Sequence, residues 1–216
     1  MEKDNILYIV DYGHGGLNPI TNKYVTPGKR SPKFKDGSIF YEGVNNRVVG
    51  KLLIEKLEQK GDTAIDLVNS WKDVRLSTRV SRANKIFAEN NYKDCVYISI
   101  HSNAFGDGTK WTSPSGISAY TSVGNTKADP IADLILQELQ CTFNESVKWR
   151  FALTDGDRDK EAHFYVLRKT HMPAILIEGG FHTNKKEVKK MMTAKWRNDL
   201  VDSIINGLKI WEHTYA

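Results

Sequence analysis

Three apolar runs in this chain lead into a side chain that can bind a metal ion or carry a proton. Residues 6–10 run into Asp11-Tyr12-Gly13-His14-Gly15-Gly16, residues 95–100 into His101, and residues 174–177 into Glu178. A loop that only turns needs no imidazole among its glycines. Two neutral imidazoles and one carboxylate suit a hydrolytic zinc ion, which takes three protein ligands and keeps a fourth position for water. Such an ion lowers the water's pKa from about 15.7 to about 7 and polarises a carbonyl. Glu42, in Phe40-Tyr41-Glu42-Gly43 where a long loop meets a helix, is the best carboxylate to join His14 and His101. Glu178 is then left as general base, able to take the water's proton and pass it to a leaving amine. Taken singly, each has an ordinary structural reading. A strand-end histidine is commonly just hydrogen-bonded, Glu42 would complement a helix N-terminus, and Glu178 would be a partly buried carboxylate in need of a partner. The chain carries no short zinc signature such as HExxH, and His163, His171, His182 and His213 read as structural or solvent-facing.

The elements that must position these groups alternate between strand and helix, which predicts an α/β fold with a mostly parallel sheet. A strand at 6–10 is followed by a polar loop, 17–38, holding three of the six prolines and the basic residues Lys29, Arg30, Lys33 and Lys35. A helix over 43–60 turns Val44, Val48, Leu52, Leu53 and Leu57 inward, with Gly61 as its stop signal. A short strand at 64–68 precedes a helix with Ser77 as N-cap and Val80, Ala83 and Phe87 at helical spacing. Strands follow at 95–100 and 116–121, and Asp129-Pro130 opens a third helix facing Ile131, Leu134, Ile135 and Leu139 inward. A strand at 174–177 and a last helix over 195–212, with the stripe Trp196, Leu200, Ile204, Leu208 and Trp211, complete the chain. In open α/β sheets ligands gather beyond the carboxyl ends of the strands, so parallel neighbours would bring His14, His101 and Glu178 to one rim.

The 216 residues fit one sizeable domain, read here as 1–216, and no repeat or Pro/Ser-rich linker divides it. Apolar residues make up 40% and charged residues 26%, ordinary for a soluble globular protein. No run approaches the length of a membrane span, and the opening MEKDN is unlike a secretion signal, so a chain made in the cytoplasm is expected. Cys95 and Cys141 form no disulfide framework and read as buried free thiols. The net charge of +5 favours a polyanionic partner without choosing among nucleic acid, anionic lipid and wall polymer.

Six ordered motifs carry a resemblance. They are Asp11-Tyr12-Gly13-His14-Gly15-Gly16, Glu42-Gly43-Val44-Asn45, Arg79-Val80-Ser81-Arg82-Ala83-Asn84, Ser99-Ile100-His101-Ser102-Asn103-Ala104, Tyr165-Val166-Leu167-Arg168, and Pro173 through Asn184. Together, over about residues 6–212, the chain resembles the zinc-dependent N-acetylmuramoyl-L-alanine amidase family. The resemblance implies a three-layer α/β/α fold with a central mixed sheet, one Zn2+ held by His14, Glu42 and His101, and Glu178 as catalytic acid/base. It implies peptidoglycan as substrate, cut at the amide between N-acetylmuramic acid and L-alanine. Anionic wall polymers are a further expected partner; nucleic acid and membrane insertion are not, and a monomer is expected. Tyr12 stands where the family commonly has Pro, while Gly180 and His182 replace larger apolar and small residues; His182 is placed either lining the cleft or, by preference, at the surface. The loop 17–38 and the stretch 106–115 are candidates for gripping glycan or stem peptide, with Asn103, Trp111 and Arg168 as candidate substrate contacts and Trp111 as a sugar-stacking ring. With no secretion signal and no room for a separate wall-binding domain, the expectation is a lysin of the phage endolysin kind. A zinc peptidase acting within the stem peptide and a silent wall-binding module are the alternative readings.

Overall fold

The apolar runs and helical stripes become a single six-stranded sheet packed between helices, seen in a computed structural model that describes residues 6–90, 94–153 and 156–215. In chain order the elements are β1 (Leu7–Tyr12), α1 (Glu42–Gln59), β2 (Thr63–Asp66), α2 (Leu76–Glu89), β3 (Cys95–Asn103), β4 (Ser118–Thr121) and α3 (Asp129–Phe143). A single 3-10 turn, Asn144–Ser146, leads to β5 (Lys160–Glu161), α4 (Tyr165–Lys169), β6 (Ala174–Phe181), α5 (Lys185–Met191) and α6 (Ala194–Tyr215). The strand order is β2-β1-β3-β6-β4-β5. Strands β2, β1, β3 and β6 run parallel, and β4 is antiparallel to β6. The mixed, mostly parallel sheet expected from the alternating pattern is the one observed.

Alternate residues of the inner strands enter different cores, as a two-residue period requires. Tyr8, Val10 and Tyr12 of β1 join the cluster under α1, α3 and α6, whereas Leu7 and Ile9 join the cluster under α2 and α4. A strand covered on both faces must be apolar throughout, which is why these runs lack the polar alternation of a half-exposed sheet.

Several boundaries differ from the expectation, each for a local reason. The buried stripe of α1 is Glu42, Asn45, Asn46, Val49, Leu53 and Leu57, while Val48 is 42% exposed and Val44 and Leu52 are only half-buried. The first turn of α1 turns polar groups inward, so the apolar residues alone misplace its face. Helix α2 begins at Leu76 with Arg75 as N-cap and no side-chain cap hydrogen bond, so Ser77 lies inside the first turn. Cys95 is buried but Cys141 is exposed on α3. Strands β3 and β6 continue past the expected ends, which places His101 and Glu178 within them as directly opposed register partners. The short α4, α5 and β5 were not expected.

Candidate metal centre and active site

The first imidazole is held in an unusual backbone conformation. His14 has φ of 65°, in the left-handed region that few non-glycine residues adopt. Buried Arg79 stabilises the turn by donating to the Tyr12 carbonyl at 2.8 Å and, more weakly, to the His14 carbonyl at 3.5 Å. The same guanidinium is paired with buried Asp11, whose other oxygen accepts from Ser99 Oγ at 2.6 Å. Beyond His14, the Gly15 N–H donates to Thr26 Oγ1, which in turn donates to Asp73. Glycine is required on both sides of this contact. A Cβ on Gly13 would lie 2.0 Å from the His101 ring, and one on Gly43 would lie 2.0 Å from the Gly15 carbonyl oxygen.

Glu42 opens α1, and the long loop supplies the cap that no side chain at Tyr41 provides. The Lys29 carbonyl accepts the Glu42 N–H at 3.0 Å, and the Tyr24 hydroxyl accepts the Gly43 N–H at 2.9 Å. Two otherwise orphaned helix donors are thereby satisfied. The loop between β1 and α1 thus fixes where the Glu42 carboxylate points.

That carboxylate is 1% exposed and collects three imidazoles. Its Oε1 lies 3.2 Å from His101 Nδ1 and accepts the Ser102 N–H at 3.2 Å. Its Oε2 lies 3.4 Å from His14 Nε2 and 3.7 Å from His182 Nδ1. The rings of His14 and His101 stand edge to face, 5.1 Å apart. One ligand atom each from His14, Glu42 and His101 falls within a span of 4.8 Å, a grouping able to hold a metal ion. Burial would raise the Glu42 pKa, but hydrogen bonds and charge from His101 and His14 outweigh it and hold the carboxyl well below its usual range. Burial alone would lower the His101 pKa, and Glu42 reverses this so that it is raised.

Glu178 behaves oppositely. Burial pushes its pKa up to about 7, against the opposing charge of His101. Its Oε2 is buried with no hydrogen-bond partner among the described residues. An unpartnered carboxylate oxygen next to a cluster of imidazoles is an available proton acceptor, not a structural anchor.

All four groups line one cleft of about 720 Å3. Asn103 lines it too, although its side-chain oxygen accepts from its own neighbour, Ala104 N–H. Trp111 and Arg168 are not among its lining residues. Trp111 is half-buried against the core with its ring 4.8 Å from that of Phe34, so its stacking face is partly used within the protein. Arg168 is exposed in the last turn of α4.

Of the two places the sequence left open for His182, cleft and surface, the structure takes the cleft. The residue is 1% exposed. Its Nδ1 faces the Ser102 carbonyl oxygen at 3.0 Å and Ser102 Oγ at 3.1 Å, with Glu42 Oε2 3.7 Å away; the carbonyl can only accept, which favours the ring proton on Nδ1. Burial lowers its pKa, keeping the ring neutral. The available signal was Gly179-Gly180 inside a strand, because Gly180 at φ 124° breaks the two-residue alternation just before His182. Lys29 of the long loop and Tyr165 also line the cleft, as do Leu76 and Phe164, which were not singled out by sequence.

Comparison with known proteins bears on the family and the fold. The family profile described as N-acetylmuramoyl-L-alanine amidase matches residues 9–210. An uncharacterized cell wall amidase of Bacillus anthracis is 25% identical over 202 residues, covering 93% of this chain and 34% of that protein. A probable cell wall amidase LytH of Staphylococcus saprophyticus is 28% identical over 204 residues, covering 94% of this chain and 57% of its own length. This chain therefore spans between a third and three-fifths of those two relatives. The crystal structure of an N-acetylmuramoyl-L-alanine amidase from Clostridium difficile 630 superposes with a TM-score of 0.75 at 25% identity, covering 98% of this chain and 99% of that one. With a family profile spanning nearly all of its length, the chain belongs to the N-acetylmuramoyl-L-alanine amidase family.

Proposed function

We propose that this chain hydrolyses the peptidoglycan amide joining the lactyl group of N-acetylmuramic acid to L-alanine, with one Zn2+ held by His14, Glu42 and His101. Two imidazoles and a carboxylate form a donor set that zinc accepts, and three candidate ligand atoms within 4.8 Å of one another support that reading. When bound, the ion supplies a positive charge that acidifies water and polarises the substrate carbonyl.

The remaining steps fall to side chains. Glu178 Oε2 takes a proton from the attacking water as its oxygen adds to the lactyl carbonyl carbon, and then delivers that proton to the alanine nitrogen as the carbon–nitrogen bond breaks. Its raised pKa, about 7, suits both halves of this transfer at neutral pH. His182, hydrogen-bonded through Nδ1 to the Ser102 carbonyl at 3.0 Å, packs its ring beside the Glu42 carboxylate, 3.7 Å away. Outer partners of metal ligands typically fix ring and carboxylate orientation in this way. The observation that carries the proposal is an orphaned, buried Glu178 oxygen in the same cleft as a ready-made three-ligand cluster.

The test is to incubate purified sacculi with zinc-loaded and chelator-stripped protein and label the amino groups that appear. New L-alanine amino termini, formed only with metal, are expected. New termini on another residue would instead make the chain a stem-peptide peptidase, and sedimentation with sacculi without any release would make it a silent binder. We further propose that the chain meets the wall after membrane permeabilisation, its basic charge giving it weak affinity for the wall. Its appearance outside intact producing cells would contradict that route.

A further inference from the structure

A second groove has a volume of about 580 Å3 and shares no lining residue with the catalytic cleft. Its walls include residues 112–115 and Asn184. Thr112 N–H donates to the Thr183 carbonyl at 2.8 Å, and the Asn184 amide donates to the Ser113 and Pro114 carbonyls, so these walls are tied together. Thr183 and Asn184 directly follow His182 of the catalytic cleft.

Four lysines enter this groove: Lys148, Lys185, Lys186 and Lys190. Among the described residues no carboxylate lies within 4 Å of any of their ammonium groups. Glu187, the one acid in the lining, is turned inward and accepts the Phe181 and Gly116 N–H groups at 2.7 and 2.8 Å. That anchor fixes α5 to the sheet and leaves its lysines facing outward. Lys190 also donates to the Ser146 carbonyl at 2.7 Å, which holds one ammonium in place at the rim. An adjoining depression of about 370 Å3 shares Ser146 and Lys190 and adds Lys189, while its Lys195 is paired with Asp199 at 2.6 Å.

We propose that this groove is a docking site for a phosphodiester polymer of the bacterial wall, held beside the catalytic cleft. Reading the polymer as a wall component rests on the function proposed above; the phosphate chemistry does not. Four point charges spread along a groove match repeating phosphates better than a single anion. The cations are all lysines, which bind phosphate as point charges, whereas planar carboxylates favour the paired donors of arginine. Neither arginine nor an aromatic ring lines the groove, so it lacks the stacking faces and forked donors by which proteins hold single-stranded nucleic acid. It also presents no large apolar side chain to enter a lipid surface. The hydroxyl-bearing walls offer hydrogen bonds to the polyol units between phosphates.

The experiment titrates full-length protein with synthetic poly(glycerol phosphate), with duplex DNA of equal charge, and with phosphatidylglycerol vesicles. Four phosphates neutralised at a single-strand-like slope of about 0.7 each predict roughly a 50-fold loss of affinity between about 50 and 200 mM salt. Replacing all four groove lysines by glutamine is expected to weaken polymer binding at least tenfold. Lys185→Gln with Lys186→Gln alone should give an intermediate loss, and Lys51→Gln with Lys85→Gln on other surfaces should give none. Hydrolysis of a soluble muropeptide, followed in parallel, should be unchanged in all of these, so a failure of docking and a failure of catalysis are separate results. Parent-like polymer binding in the fourfold variant, or tighter lysine-dependent binding of DNA or vesicles than of polymer, overturns the proposal.

Discussion

Gly13→Ala is the smallest change that should dismantle the metal centre. The added methyl would stand 2.0 Å from His101 Cε1 and 2.3 Å from Nε2, and ordinary van der Waals contact begins near 3.4 Å. The imidazole must therefore retreat by about 1.4 Å, or β1 must shift away from β3, to which Gly13 is tied by an N–H bond to the Ile100 carbonyl at 3.0 Å. Metal–ligand distances tolerate only about 0.2 Å of error, so either response removes His101 from the ligand set. Loss of outer partners alone commonly costs 10- to 100-fold in metal affinity, and displacing a ligand should reach the upper end, about 100-fold or about 2.7 kcal/mol. The assay is competition for zinc against a fluorescent chelator, with thermal unfolding to show that the fold persists. Gly28→Ala is the control, since a Cβ there would meet nothing within 4 Å. Zinc affinity within threefold of the parent in Gly13→Ala would refute the reasoning that this glycine exists to make room for the His101 ring.

Three further outcomes are expected. Glu178→Gln should retain zinc yet lose about 10²- to 10⁴-fold in turnover, measured by amino-terminus release; parent-like turnover removes Glu178 as the proton carrier. His182→Leu preserves bulk but removes the Nδ1 hydrogen bond to the Ser102 carbonyl and the imidazole packed 3.7 Å from Glu42, so zinc affinity should fall roughly tenfold or more, by chelator competition, and unchanged affinity would make the histidine a packing residue only. Far from the cleft, burial pushes the Asp159 carboxyl up to about 7 from an ordinary 3.8. The folded protein keeps that proton where the unfolded chain has released it, so this contribution is full below pH 3.8 and is lost as pH rises through 7. Asp159→Asn should flatten that part of the stability curve in denaturant titrations; an unaltered slope would contradict it.

Much of the site was legible because a strand buried on both faces cannot hide its end. The runs before His14, His101 and Glu178 are nearly continuous in apolar residues, and the first polar group after such a run must lie at or near the sheet's rim. Glu42 was legible only as a junction between loop and helix. The inward turn of Asn45 and Asn46 around it could not be inferred, since it depends on Asn46 donating to the Gly13 carbonyl 33 residues away. The place of His182 stayed open between cleft and surface because a positive φ at Gly180 and the register shift of β6 against β3 depend on pairing that sequence does not show. Trp111 meets Phe34 from a distant loop, a pairing that no local pattern announces. The helices α4 and α5, at 5 and 7 residues, are too short for hydrophobic periodicity to register.

Anomalous scattering from crystals of the zinc-loaded protein tests the central claim most directly. The account predicts one strong peak per chain, ligated by His14, Glu42 and His101, with Glu178 nearby but uncoordinated. A peak held by other side chains, or imidazoles and carboxylate that bind no ion at saturating zinc, would contradict it.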